Sequence, residues 1–318
     1  MVSNMYNTKL CSIFLGLIFL TALSSSSPGF FNNSCGTINE SGLYIVNVSN
    51  IVSPNGLTCI NITASNVVLN LNGSNIKGAN YNSSIFVFKV ANVTIANGTV
   101  KSSYNGIYFQ NVTNGSIFHV TASDNFNSGF YLDSGSNNNI SFNNVYNNFY
   151  GFYLSSYSNN NTLSYNTVYN NSDGFYLDSG SNYNTLSFNI VYDNIDSFYL
   201  YSSSNNKLSY NAVYNNTRGF YLDSSSNNTL TNNTAYNNSN SGFHLVLSYN
   251  NTFSNNTVYN NSKSGFYLSS SYNNTFSNNN VYNNFYGFYL SSSYNNTFSN
   301  NTVYNNTYKF YRCCTTQS

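Results

Sequence analysis

The stretch Asn251-Thr252-Phe253-Ser254-Asn255-Asn256-Thr257-Val258-Tyr259-Asn260-Asn261-Ser262-Lys263-Ser264-Gly265-Phe266-Tyr267-Leu268 decides the fold, because it is one copy of a unit that returns every 22 or 23 residues. Its Gly-Phe-Tyr-Leu close recurs at Gly129, Gly151, Gly174, Gly219, Gly242, Gly265 and Gly287, with Ser197 in the one gap. A period of this length is too short for the helix pairs of most helical solenoids, which need about 33 residues or more. It suits a coil of three short strands joined by tight bends. Alternate residues of a strand point to opposite faces, so Phe266 and Leu268 share one face and Tyr267 takes the other. Stacking the copies aligns these residues into columns. One holds Phe152, Phe175, Phe198, Phe220, Phe243, Phe266 and Phe288; a second holds Leu154, Leu177, Leu200, Leu222, Leu245, Leu268 and Leu290. A third holds Val145, Val168, Val191, Val213, Ala235, Val258, Val281 and Val303. Three apolar columns fill a narrow core. The chain reads as all-β: a single-stranded right-handed parallel β-helix of about 12 coils, roughly 55–60 Å long at about 4.8 Å per coil.

Asparagines recur once per coil ahead of the valine column, at Asn143, Asn166, Asn189, Asn211, Asn233, Asn256, Asn279 and Asn301. Asn tolerates the left-handed backbone that a one-residue bend requires. Its amide, repeated at the coil spacing, can hydrogen-bond from coil to coil as a ladder. Both properties assign these columns a structural role. A second set of Asn-Asn pairs runs from Asn147-Asn148 to Asn305-Asn306, with Asp193 its one exception.

Only 5% of the 318 residues are charged, and the net charge is +1. Ordinary globular chains carry about 25%, so Asn, Ser, Thr and Tyr must solvate this surface. With 18% aromatics the chain is not of the disordered type. The nine Lys and Arg are scattered singly, which leaves no basic patch for phosphates and argues against nucleic-acid binding. An AT-rich genome drifts toward the same residues, so abundance alone is no evidence of function.

Residues 1–25 read as a secretion signal. Lys9 precedes an apolar run from Leu10 to Leu23 that ends in small residues, and a run of about 14 is short for a bilayer span. No second such segment follows, so the expected product is exported, with no membrane span once the signal is removed. Residues 26–75 read as an N-terminal capping region with the first coils, 76–312 as the repeats and 313–318 as a tail. In an oxidising compartment Cys35 and Cys59 are expected to join, and a loop of about 24 residues gains roughly 3 kcal/mol on the chain-entropy estimate. Cys313 and Cys314 are adjacent; pairing with another chain, pairing with each other and remaining free all stay open. Neither pair has zinc spacing. The many Asn-x-Ser/Thr sequons are glycan acceptors only if the host glycosylates exported proteins.

The repeat Gly-Phe-Tyr-Leu-Ser-Ser-Ser-x-Asn-Asn-Thr-Phe-Ser-Asn-Asn-Thr-Val resembles that of the NosD-type, pectin-lyase-like β-helix proteins. The entry Cys35-Gly36-Thr37-Ile38, Gly42-Leu43-Tyr44, Cys59-Ile60 and Val67 to Gly73 is similar to the capping coil of secreted members. The resemblance implies the parallel β-helix and leaves activity open among lyases, hydrolases, epimerases, adhesins and accessory proteins. The family's copper association is not expected to carry over, because copper sites use Cys, His and Met. The two histidines, His119 and His244, lie more than five coils apart, and both methionines lie in the signal. No cofactor and no metal are expected.

Two features remain for function. Tyr131, Tyr153, Tyr176, Tyr199, Tyr221, Tyr267, Tyr289 and Tyr311 form an outward column, with His244 in it as an expected solvated substitute. A second column runs Tyr146, Tyr169, Tyr192, Tyr214, Tyr236, Tyr259, Tyr282 and Tyr304. Rows of exposed aromatics suit sugar rings and mark an interaction face, though Tyr also stabilises strands in its own right. Tyr153, Tyr176, Tyr199, Tyr221, Tyr267 and Tyr289 are the candidate ligand contacts. The other feature is a sparse acidic column, Asp133, Asp178 and Asp223, on alternate coils about 9.6 Å apart, at the margin of inverting-glycosidase spacing. On an exposed strand nothing is expected to perturb these acids, and Asp173, Asp196 and Arg218 are the only charged groups near them. The favoured function is a secreted or cell-surface, non-enzymatic protein whose Tyr/Asn face contacts glycans or envelope components. The alternatives are a polysaccharide-processing lyase, hydrolase or epimerase and a purely structural spacer. Lys309 at the glycine position and Arg312 at the leucine position end the repeat and blunt its edge, and self-association through that end is expected.

Overall fold

The computed structural model describes residues 29–31, 35–54, 56–78 and 81–313. The expected signal segment and Cys314 lie outside the described residues. A regular coil runs through one six-residue strand and two three-residue strands, as in Tyr150–Ser155, Thr162–Ser164 and Thr167–Tyr169. Each strand pairs in parallel with its counterpart one coil on, in the register that the repeat predicts: Phe152↔Phe175, Leu154↔Leu177 and Val168↔Val191. The long strands make one 13-stranded sheet from Gly36–Ile38 to Tyr308–Cys313, and about twelve turns of right-handed solenoid result. No helix occurs.

The Phe, Leu and Val columns are buried as expected, except that Val303 in the last coil is only partly buried. A fourth apolar column, missed in the sequence, lies on the first short strand: Ile140, Leu163, Leu186, Leu208, Leu230, Phe253 and Phe276. Each is a single apolar residue between polar neighbours, and its identity changes from Leu to Phe midway, so it offers little pattern. Every such buried side chain contributes about 1.5–3 kcal/mol, and the solenoid accumulates this coil by coil.

The bends differ from the sequence reading in one respect. The ladder asparagines do not adopt the left-handed conformation; the residue before each does. Asn255, Asn278 and Asn300 have φ of 57°, 55° and 53°, and in earlier coils Phe142, Tyr165, Phe188 and Tyr210 hold the same corner at 56–57°. The following Asn is thereby turned inward. Asn166 is typical: its backbone N–H and its Nδ2 donate to Asn189 Oδ1 at 3.0 and 3.1 Å, and Nδ2 also donates to the Ile140 carbonyl at 3.0 Å. Its own Oδ1 accepts from the N–H and Nδ2 of Asn143, both at 3.0 Å. Bends otherwise expose backbone groups to the core, and the ladder satisfies them from inside.

At the entry, Cys35 and Cys59 form a disulfide with Cα atoms 4.5 Å apart. At the other end Arg312 pairs with Leu290, and Phe310 with Phe288, in the last long strand.

Candidate functional site

The outer face of the long sheet carries three columns of side chains, and the middle one is the tyrosine ladder. Most of its rings stack face to face along the solenoid axis, with Tyr176–Tyr199 tilted by 30° and His244 interrupting the run. Centroids are 4.8 Å apart for Tyr131–Tyr153, 5.2 Å for Tyr153–Tyr176, 5.0 Å for Tyr176–Tyr199, 4.5 Å for Tyr199–Tyr221 and 5.1 Å for Tyr267–Tyr289. Such stacking stabilises each pair by about 0.5–1.5 kcal/mol beyond burial. It also spends the ring faces on one another, so what the ladder offers a ligand is a strip of ring edges and hydroxyls. The second tyrosine column is built the same way; Tyr259 and Tyr282, for example, lie 4.9 Å apart and parallel.

The acidic column flanks the ladder on one side, and the phenols hold its carboxylates. Tyr108 Oη donates to Asp133 at 3.0 Å, Tyr153 Oη to Asp178 at 3.3 Å and Tyr221 Oη to Asp223 at 3.2 Å; Gln110 also donates to Asp133 at 3.1 Å. Burial, the Asp178 charge and the neighbouring rings push the Tyr153 phenol far above its ordinary value, and burial does the same for Tyr176 and Tyr199. These tyrosines are neutral donors at any physiological pH.

The column on the other side was not legible as part of the face. It holds Ser128, Tyr150, Asp173, Asp196, Arg218, Ser241, Ser264 and Tyr286, each preceding the Gly or Ser that opens the repeat. Strict alternation from inward Phe152 would bury Tyr150 and its equivalents. The ladder register instead passes from Tyr150↔Asp173 to Phe152↔Phe175 and leaves the glycine out. A Cβ on Gly151 would point into the core, 2.7 Å from Val168 Cγ1. This local bulge returns the preceding residue to the outer face, where Tyr150 stacks on Tyr176 at 5.1 Å. The available signal was the presence of Asp, Asp and Arg at a position that alternation would bury.

That column holds the strongest electrostatics of the described chain. Arg218 Nε and Nη2 each donate to an Asp196 oxygen at 2.6 Å, and the guanidinium lies 3.8 Å from the Tyr221 ring centroid. Burial pushes the Asp196 carboxyl up and the Arg218 guanidinium pulls it back. Asp173, one coil before, is pushed up to about 7, first by burial and then by the Asp196 charge, with Arg218 opposing. His244 is not the solvated substitute expected. It lies 5.0 Å from Tyr221 and 4.6 Å from Tyr267, and burial, Arg218 and Lys263 lower its pKa to about 4. It is therefore neutral at pH 7.

A hollow of about 510 Å³ opens at the bend leading into these strands, lined in part by Asp193, Ile195, Asn215, Thr217, Asn237 and Ser239. No helix among the described residues is long and apolar enough to cross a membrane.

Residues 22–225 match the family described as periplasmic copper-binding protein (NosD), and residues 183–316 match the right-handed β-helix region. No curated protein matches the sequence. Among solved structures, the chain is similar to the A-module of mannuronan C-5 epimerase AlgE6 of Azotobacter vinelandii, with 15% identity, 86% of this chain and 91% of that one covered, and a TM-score of 0.64. The Dettilon tailspike protein gp208 gives 17%, 90% and 61%, and 0.59; the periplasmic alginate epimerase AlgG gives 16%, 89% and 80%, and 0.53. Identities this low show the shared fold alone. The donor set does not fit the copper of the family's description. Among the described residues no three His, Cys, Asp or Glu side chains come together, His119 packs against Phe118 and Phe142 on another face, and Cys35 and Cys59 are bonded to each other.

Proposed function

As the chain belongs to the NosD family of right-handed β-helix proteins, we propose that it is an envelope or extracellular protein that binds a polysaccharide laid along the outer face of its long sheet. One observation carries this reading. In a chain with only eight acidic residues, five of them, Asp133, Asp173, Asp178, Asp196 and Asp223, gather on this one face, together with Arg218, His244 and the tyrosine ladder. A structural spacer requires no such concentration. A row of hydroxyls, carboxylates and ring edges repeating at the coil spacing matches a polymer of hydroxylated rings, and the protein contacts it through hydrogen bonds and ring edges. The family's periplasmic description supports the location.

The test is capture of the purified protein on an array of insoluble and soluble polysaccharides, beside a variant with Tyr153, Tyr176, Tyr199 and Tyr221 replaced by Ala. Saturable capture that the variant loses supports the face as the binding site. Capture that survives the four substitutions places binding elsewhere and removes this reading.

A second reading, turnover of the bound polymer, is favoured by Asp173, which holds its proton close to neutral pH one coil before the Asp196–Arg218 ion pair. A carboxyl so tuned is suited to general-acid work. Product release from a captured polymer that Asp173→Asn abolishes while capture persists would decide for this second reading.

A further inference from the structure

The hollow at the bend is separate from the ladder face. It borders one row of the repeat, Phe126, Phe149, Ser172, Ile195, Thr217, Ser239, Ser262, Phe285 and Thr307, in which Phe stands at 126, 149 and 285 and small residues flank Ile195. Phe149 and Phe285 stand edge-on against Tyr150 and Tyr286, each at 4.7 Å and 88°. The small side chains of Thr217 and Ser239 beside Ile195 leave a shallow, open hollow of about 510 Å³.

Its lining is amphipathic. Ile195 is 53% exposed and provides an apolar patch among polar groups. Around it stand the exposed amides of Asn215 and Asn237 and the hydroxyls of Thr217 and Ser239. Asp193 completes the set. From Asn147 to Asn305 its corner row is Asn in every other coil, and Asn satisfies the left-handed backbone there as well as Asp does, so the bend does not call for a carboxylate.

We infer that this hollow is a second saccharide subsite, which takes one end or one branch of the polymer as a hydroxylated sugar ring bearing no carboxylate. The inference rests on the polysaccharide-binding reading above. The C–H face of a pyranose covers Ile195, the amides and hydroxyls bond the ring hydroxyls, and Asp193 accepts from a vicinal pair. Asp193, an exposed carboxylate, disfavours a uronic acid in the hollow, so the ligand differs in charge from the alginate on which the similar epimerase AlgG is named to act.

The test uses the whole protein on immobilised galactomannan, xyloglucan and starch, with alginate and polygalacturonate beside them. Two variants borrow residues that the repeat already accepts: Thr217→Phe, the residue at 149 and 285, fills the hollow, and Asp193→Asn restores the row. The expected result is capture of at least one neutral polymer, weakened about tenfold or more by Thr217→Phe, equivalent to at least about 1.4 kcal/mol, and less by Asp193→Asn, with neither variant losing the coil signal in circular dichroism. Equal capture by wild type and Thr217→Phe overturns the subsite while leaving the ladder face in place. Stronger capture on alginate or polygalacturonate than on the neutral polymers overturns the ligand class. Failure of the wild type to capture any polymer removes the polysaccharide reading, and this subsite with it.

Discussion

Arg218 reaches back one coil to Asp196 and meets both carboxylate oxygens at 2.6 Å, under a tyrosine ring one step along the ladder. The pair exists because the residue before each repeat glycine faces outward, so charges 22 residues apart in sequence stand side by side. Asp196 is only 4% exposed in its side chain. Removing its partner leaves a carboxylate with few routes to solvent. Arg218→Met should lower stability by about 2–3 kcal/mol, below the range for fully buried pairs because the arginine is partly exposed. The Asp196→Asn/Arg218→Met double variant should recover most of that loss. Urea midpoints of the four proteins check this, and a double variant as weak as the single one would contradict it.

Asp173 and His244 give stability opposite dependences on pH. The Asp173 pKa is raised in the fold, so its contribution is fully present below about pH 4 and is lost as pH rises through about 7. The His244 pKa is lowered, so its contribution is fully present above about pH 6.5 and is lost as pH falls toward about 4. The two partly cancel in the wild type, and differences against single variants separate them. The melting temperature of Asp173→Asn should match the wild type near pH 4 and exceed it increasingly toward pH 8. That of His244→Gln should gain on the wild type as pH drops below 6.5. Parallel pH profiles for variant and wild type would refute either assignment.

Breaking the amide ladder in mid-solenoid should be costly. Asn166→Ala strands the buried N–H of Asn143, removes one of the two acceptors of its Nδ2, which keeps the Ile117 carbonyl, and takes a donor from the Ile140 carbonyl. At about 1–3 kcal/mol for the unsatisfied N–H, with the other lost hydrogen bonds added and what local relaxation recovers subtracted, the loss should be about 3–5 kcal/mol. Hydrogen exchange should show the damage concentrated in the coils on either side of residue 166, since a solenoid is stabilised by nearest neighbours. Uniform protection across all coils would argue against the ladder as the source.

The glycine bulge tolerates little. A Cβ on Gly151 would lie 2.5 Å from the Gly174 carbonyl oxygen of the next coil, and backbone cannot swing aside as a side chain can. Gly151→Ala should therefore cost about 1–3 kcal/mol by overpacking. Ser197 shows that one coil can absorb the crowding, and it leaves its own Oγ without a partner among the described residues. Ser197→Gly is consequently expected to be neutral or mildly stabilising in thermal unfolding, and a clear loss would show that the hydroxyl has an unrecognised role.

The sequence by itself determined the coil: its length, three of its four core columns, the ladder asparagines and the strand that carries the tyrosines. These follow from periodicity, because identical residues in identical positions of stacked coils must form columns, and a column of Phe or Leu is stable only inside. Alternation along single strands also placed Tyr153, Tyr176, Tyr199 and Tyr221 outside. Only the tertiary structure decided what faces what. The bulge at the repeat glycine, invisible to strict alternation, turns Asp173, Asp196 and Arg218 onto the tyrosine face and makes that face electrostatically distinct. The stacking of neighbouring coils consumes the tyrosine ring faces, which leaves edges and hydroxyls for a ligand, and it half-buries His244 between two rings, where the alternation pattern marks it as solvated. Each of these outcomes depends on contacts between coils 22 or 23 residues apart, where the register of the backbone, rather than the identity of any one residue, sets the distance.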